Sequence, residues 1–125
     1  MFEYLVFTED CAFQGRTEIR IEVDGSRLRY LLLDETLDSV DPEDRKGPVE
    51  GVYSGDADEF MDRIESFGVP QWKDEYRMPA DDGYSWDLRY KEVGKPCRKI
   101  SGSNDSPDCY EDFVDHLLSV AIGSN

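Results

Sequence analysis

The sequence predicts an α+β fold, in which two amphipathic helices pack on one face of a single antiparallel sheet of about five to six strands. Apolar residues alternate with polar ones in several segments, which is typical of half-buried strands. Two other segments carry apolar stripes at helical spacing. The length of 125 residues suits one domain, residues 1–125. The predicted element order is β-β-β-β-α-β-β-α.

The first part of the chain predicts a strand and a hairpin. Residues 2–8 are apolar on both faces, as in a strand whose two faces are partly covered. Residues 17–33 alternate on either side of a turn at Asp24-Gly25, which is typical of a hairpin with one core-facing side. If no helix covers the other side, Leu31 and Leu33 are exposed there, which would favour a dimer.

The first helix follows an acidic loop and a short strand at 49–55. Asp56 can cap this helix, and Glu59 is placed to complete a capping box. Residues 57–67 then carry an apolar stripe. Gly68 occupies the position where helices often end in a left-handed residue.

The second part of the chain predicts another hairpin and the last helix. Residues 84–93 and 97–101 are the two strands, joined by a turn at Gly94-Lys95-Pro96. Ser106 is then placed to cap the helix, with Pro107 at its first position. An apolar stripe from Tyr110 to Ala121 defines the face that packs on the sheet.

The charge balance is strongly negative, with 29 acidic residues against 14 lysines and arginines and a formal net charge of −15. Such a chain repels nucleic acid phosphates and anionic lipids and attracts basic proteins. We therefore expect a protein partner with a basic surface, no direct nucleic acid binding and no membrane binding. The candidate partner-binding residues are the acids on the outer faces of the two helices, namely Asp58, Asp62, Glu65, Asp108, Glu111, Asp112 and Asp115.

No motif indicates an enzyme, a cofactor or a metal site. The three cysteines lack metal-ligand spacing, and neither a phosphate-binding glycine loop nor an EF-hand loop is present. The single histidine, His116, is expected on a helix surface. The first residues lack the basic region of a signal peptide, and no apolar run could span a membrane. We expect a cytoplasmic monomer or homodimer.

Residues 86–101 depart from the acidic background with a local net charge of +3. These cations are expected to pair with acidic helix faces or loops of the same molecule. The alternative is a contact surface for an acidic partner.

Residues 70–118 contain a spaced set of aromatic, glycine and turn residues. They are Trp72, Tyr76, Asp82, Gly83, Trp86, Leu88, Gly102, Asn104 and Pro107. This set resembles the signature of a recurring, poorly characterised domain of small bacterial proteins, and the resemblance implies no catalytic residues. Turns, caps and packing explain each position; Trp72 and Tyr76, for example, would share one face of a helical turn. Asp81 and Tyr84 have no such explanation, so a ligand contact would be sought there first.

Three functional hypotheses remain. The first is a non-enzymatic interaction module, of the inhibitor or immunity type, that masks a basic nucleic-acid-handling partner with carboxylates in place of phosphates. The second is an accessory domain whose acidity reflects its host. The third is an enzyme, which would need a pocket that combines Trp72, Tyr76 and Trp86 with a buried carboxylate.

Overall fold

The computed structural model describes residues 2–11, 15–36, 49–78 and 83–122. The first half contains β1 (Phe2–Cys11), β2 (Gly15–Asp24), β3 (Arg27–Thr36), β4 (Val49–Val52) and α1 (Ala57–Ser66). A short 3₁₀ helix at Val69–Gln71 follows. The second half contains β5 (Glu75–Arg77), β6 (Tyr84–Glu92), β7 (Arg98–Ser103) and α2 (Tyr110–Ile122). The acidic loop was predicted at 34–48, but residues 34–36 belong to β3. Residues 37–48 lie outside the described residues, as do Asp81 and Asp82.

The strands form one mixed sheet in the order β4-β3-β2-β1-β6-β7-β5, so the first strand of the chain lies at its centre. The α+β class is confirmed, but the prediction of five to six antiparallel strands is wrong in two respects. The described sheet has seven strands, and β5 pairs with β7 in parallel. Because β5 has only three residues, it is too short to show the alternation from which strands are predicted.

The core lies between one face of the sheet and the two helices. The sheet contributes inward side chains that are almost fully buried: Leu5, Phe7, Ile19, Ile21, Leu28, Leu88 and Ile100. The helices contribute Phe60, Ile64, Phe113 and Leu117. Phe7 of the central strand meets Phe113 of α2 edge to face, with ring centroids 6.1 Å apart. Since burying one such side chain contributes roughly 1.5–3 kcal/mol, contact between these two layers is the main source of stability.

The start of α1 is confirmed and the start of α2 is wrong. The Asp56 carboxylate accepts a hydrogen bond from the Glu59 amide at 3.2 Å, and Gly68 is left-handed with φ 76°. By contrast, α2 begins at Tyr110 rather than at Pro107. Pro107 is instead the first residue of a turn that precedes α2, in which the Tyr110 amide donates to the Pro107 carbonyl at 3.0 Å. Proline at the start of a turn and at the start of a helix has the same fixed φ, so sequence did not separate them.

The two faces of the sheet differ in what covers them. Both helices pack on the face that carries Leu5 and Phe7, as predicted. We call the opposite face, which no described helix covers, the open face. Leu31 and Leu33 point to it and are partly exposed.

Candidate functional site

The outer surface of α1 is a row of carboxylates. Asp58, Asp62 and Glu65 are spaced four and three residues apart, so they project from one side of the helix, and all three are exposed. The core residues Phe60 and Ile64 occupy the other side. Packing of this apolar side on the sheet therefore directs the acids to solvent.

The outer surface of α2 carries the second row of carboxylates. Asp108 lies in the turn just before the helix, and Glu111, Asp112 and Asp115 lie in its first two turns; all four are exposed. None of these four acids makes an ion pair with a residue in the described ranges. These four acids and the three of α1 are the residues that the sequence predicts as candidates for partner binding.

The two helices contact each other and place the two acidic rows side by side. The His116 imidazole stacks on the Phe60 ring, with centroids 4.2 Å apart, and Phe67 meets Phe113 at 5.7 Å. Because the beginning of α1 meets the middle of α2 and the end of α1 meets the beginning of α2, the helices run antiparallel. We call their joint outer surface the helix layer.

His116 is a correction to the sequence prediction, because it is half-buried between the helices and not on a helix surface. Its Nε2–H donates to the Phe60 carbonyl, with the two atoms 3.0 Å apart. Burial lowers the pKa of His116, the Phe60 carbonyl acts in the opposite direction, and the charge of Arg63 lowers the pKa further. His116 therefore serves packing between the helices as a neutral imidazole.

Cys109 is a second titratable group near this junction between the helices. Its thiol donates to the Phe67 carbonyl at 3.6 Å and is partly buried. Burial raises the pKa of Cys109, so the sulfur stays protonated, whereas a nucleophilic cysteine needs a lowered pKa.

No group of three or more potential metal ligands occurs among the described residues.

Charge is unequally divided between the two sides of the molecule. The described helix layer, with its flanking turns, exposes nine carboxylates and one guanidinium, that of Arg63. The nine are Asp56, Asp58, Glu59, Asp62, Glu65, Asp108, Glu111, Asp112 and Asp115. On the open face, strand alternation places seven acids and eight bases among the described side chains. One side is thus strongly negative, and the other is close to neutral.

The cations of the β6–β7 hairpin pair with strands and a loop, not with the helix layer. Lys91 contacts Glu3, Lys95 contacts Glu92 at 3.1 Å, and Arg98 contacts Asp74 at 2.9 Å. The prediction that these cations pair within the same molecule is confirmed for the three ion pairs named here. Their partners lie in strands and a loop, however, and not on the helix faces that were also expected to supply them. Arg89 and Lys99 lie opposite each other on the open face, exposed and without an ion pair to a described residue.

A shallow depression of about 190 Å³ lies on the open face above β5, β6 and β7. Its floor is low because small residues occupy neighbouring positions, namely Ser85, Ser101 and Ser103. The charged side chains in its lining have both signs, namely Asp10, Glu75, Arg77, Asp87 and Lys99. The depression is therefore polar and carries little net charge.

The aromatic residues of the signature form a cluster in which Trp72 and Trp86 are buried and Tyr76 is partly buried. Trp72 and Tyr76 both contact Trp86, with ring centroids 6.2 and 5.9 Å away. The prediction that Trp72 and Tyr76 share a helical turn is wrong, because Trp72 follows the 3₁₀ helix and Tyr76 lies in β5. The two indoles donate to the carbonyls of Phe67 and Asp105.

The remaining signature residues build the end of the β6–β7 pair. Asn104 is left-handed, with φ 58°, and its side-chain oxygen accepts from the Tyr84 amide at 3.1 Å. A Cβ on Gly83 would lie 1.5 Å from that oxygen, so glycine is required there. Leu88 is fully buried, and Pro107 is partly exposed in the turn before α2.

Tyr84, proposed as the first place to seek a ligand, has structural contacts. Its hydroxyl lies 2.8 Å from the Ser106 hydroxyl, and its ring lies 5.8 Å from that of Tyr110. Tyr84 therefore ties β6 to the turn before α2.

The chain matches no protein-family model, and a search of curated proteins also finds no match. Among the described residues, no helix is long and apolar enough to cross a membrane.

Proposed function

We propose that this chain is a non-enzymatic protein-interaction module, of the inhibitor or immunity type, that binds a basic, nucleic-acid-handling partner through its helix layer. The single observation that carries the proposal is the division of charge. The described helix layer exposes nine carboxylates against one guanidinium, while the open face is nearly balanced. Acidity that served solubility alone would not need to be concentrated on one side.

The density of charge on the helix layer is comparable to that of duplex DNA. The longer helix, α2, has thirteen residues and extends about 20 Å. Nine carboxylates and one guanidinium over that length give one net negative charge per roughly 2.5 Å, against one per roughly 1.7 Å of duplex axis. A basic surface shaped for phosphates can therefore meet a similar density of negative charge here.

The helix layer is also prepared for binding without rearrangement. Its acids project from two helices whose opposite sides are held in the core by Phe60, Ile64, Phe113 and Leu117, all almost fully buried. Carboxylates on a rigid surface lose less conformational entropy on binding than carboxylates on loops. The geometry thus supports recognition of a partner surface.

The alternative, an accessory domain with host-wide acidity, predicts acid residues spread over both faces. An average proteome charge as acidic as this chain would favour that alternative. The unequal division of charge in the described residues supports the interaction module instead.

A pull-down with matched variants tests the proposal. Wild-type protein is immobilised beside a helix-layer variant, in which Asp58, Asp62, Asp112 and Asp115 are changed to Asn. The matched control changes four exposed acids of the open face to their amides, namely Asp10, Glu22, Glu50 and Glu75. Each variant loses four negative charges, so only their location differs.

We expect wild type and the open-face control to capture basic, nucleic-acid-binding proteins from host lysate at about 0.05 M salt. Capture should weaken at about 0.5 M salt, because screening shortens the range of the attraction. The helix-layer variant should capture little at either concentration. Recovery of no basic partner at low salt, or equal loss of capture in both variants, would contradict the proposal.

A further inference from the structure

The open face carries two adjacent rows of opposite charge that cross the central strands. The first row, called the basic row, joins residues paired across β3, β2, β1, β6 and β7: Leu31, Arg20, Val6, Arg89 and Lys99. The second, called the acidic row, lies two residues away on each strand: Leu33, Glu18, Thr8, Asp87 and Ser101. Each strand thus offers one member to each row.

We propose that a second copy of this chain covers the open face. The two copies are related by a twofold axis that lies in the plane between the two sheets, runs perpendicular to the strands and crosses β1 between Val6 and Thr8. This axis places the basic row of one copy over the acidic row of the other. Arg20 then faces Glu18 of the second copy, and Arg89 faces Asp87 of the second copy. Because a twofold interface is self-complementary, each contact occurs twice.

The charges also select this orientation over the other symmetric one. A twofold axis along β1 would exchange β2 with β6 and leave the rows in place. Arg20 would then face Arg89 of the second copy, and Glu18 would face Asp87, so that like charges meet. The pattern of two basic and two acidic positions on β2 and β6 is therefore complementary only across the perpendicular axis.

The centre of the proposed interface is apolar, and its area is sufficient. Val6 lies at the middle of the middle strand, with Tyr4 beside it and Leu31 and Leu33 toward one side, all partly exposed. In the proposed dimer, Leu31 faces Leu33 of the second copy. Five strands of six to ten residues, spaced about 4.8 Å apart, give a face of about 700 Å² per copy, which is close to the roughly 800 Å² per partner of a specific interface of standard size.

Two copies of so acidic a chain repel each other unless their negative surfaces stay apart. When the two open faces meet, the two helix layers lie on opposite outer sides of the dimer. The thickness of two sheets and two layers of helices then separates them. The surface that is nearly neutral is thus the one where two copies can approach closely. The dimer would expose both helix layers to other proteins.

Mass measurement by sedimentation equilibrium tests the proposal with charge reversals at one facing pair. At a chain concentration of about 0.1 mM, a dimer with a micromolar dissociation constant is almost completely formed. We therefore expect wild type to sediment with twice its monomer mass of 14.4 kDa. Arg89→Asp alone places two acids opposite each other, and Asp87→Arg alone places two bases opposite each other. Each single variant should weaken dimerisation by about tenfold or more.

Mixing the two single variants gives the sharpest result. In the mixed dimer, Asp at position 89 faces Arg at position 87 of the other copy, and the native Asp87 faces the native Arg89. The mixture should therefore form heterodimers, although each variant alone is mostly monomeric. Circular dichroism of each variant establishes that it is folded.

A matched control reverses a charge of the helix layer, Asp62→Arg, and should leave the dimer unchanged. A monomeric wild type at about 0.1 mM would overturn the proposal. A dimer that neither single variant weakens would also overturn it, because its contact would then lie elsewhere.

Discussion

The indole of Trp86 lies directly over Gly102, its cross-strand neighbour in β7. A Cβ on Gly102 would lie 2.2 Å from the indole Nε1 and 2.8 Å from the Asp105 carbonyl oxygen. The same indole nitrogen donates to that carbonyl at 2.9 Å. A missing side chain on β7 thus lets one aromatic residue fill the core and bond to the turn that leads to α2.

Gly102→Ala should destabilise the protein by roughly 2–3 kcal/mol, because the added methyl group forces the indole out of its position. Urea unfolding, followed by tryptophan fluorescence, measures the change in free energy. Ser101→Ala is the control, since Ser101 lies beside Gly102 but points to the open face. Equal stability of the Gly102→Ala variant and wild type would contradict this account of the glycine.

Arg98→Lys should destabilise the protein by about 2–3 kcal/mol, although the charge is kept. The Arg98 guanidinium donates to the carbonyls of Pro70 and Trp72, to the Tyr90 hydroxyl and to Asp74. A lysine cannot reach so many acceptors at once. Thermal unfolding measures the loss.

The matched control for Arg98 is Lys95→Ala. Lys95 belongs to the same hairpin, but its side chain is 67% exposed and its only ion pair within the described ranges is with Glu92. An exposed pair contributes less than about 1 kcal/mol. If Lys95→Ala and Arg98→Lys destabilised the protein equally, Arg98 would not have the anchoring role described.

Asn104→Ala should destabilise the protein by about 2 kcal/mol through two separate losses. Alanine does not readily adopt the left-handed conformation at φ 58°, and it cannot accept the hydrogen bond from the Tyr84 amide. Asn104→Gly separates these contributions, because glycine keeps the left-handed conformation and removes the side-chain acceptor. We expect its stability to lie between those of wild type and Asn104→Ala in urea unfolding.

His116 should make the stability of wild type fall on acidification relative to a His116→Gln variant. Burial lowers the pKa of folded His116 below its unfolded value near 6.5, so the unfolded chain takes up the proton first. Its contribution is therefore complete above about pH 6.5 and is lost as the pH falls through the folded pKa.

The difference in unfolding free energy between wild type and His116→Gln, measured between about pH 7 and about pH 5, isolates this contribution from the many carboxylates. Both proteins share those acids and Arg63, the nearby cation that also lowers the pKa of His116. Parallel stability curves would show that His116 does not titrate differently on folding.

The amino-acid sequence by itself determined the features that depend on neighbours along the chain. The two hairpins, the Asp56 cap and the left-handed Gly68 were all predictable, because alternation, turn residues and caps are local. The inward direction of Trp86 and Leu88 followed from the same alternation.

Only the tertiary structure decided what depends on distant residues. The parallel pairing of three-residue β5 with β7, the central place of β1 and the burial of His116 against Phe60 arise from contacts between segments far apart in sequence. The charge of −15 and the acids on the outer faces of the two helices were visible in the sequence, but their concentration on one side of the molecule, opposite a nearly neutral open face, was not. That concentration arises because packing buries one side of each helix, while strand pairing brings cations and acids together on the open face.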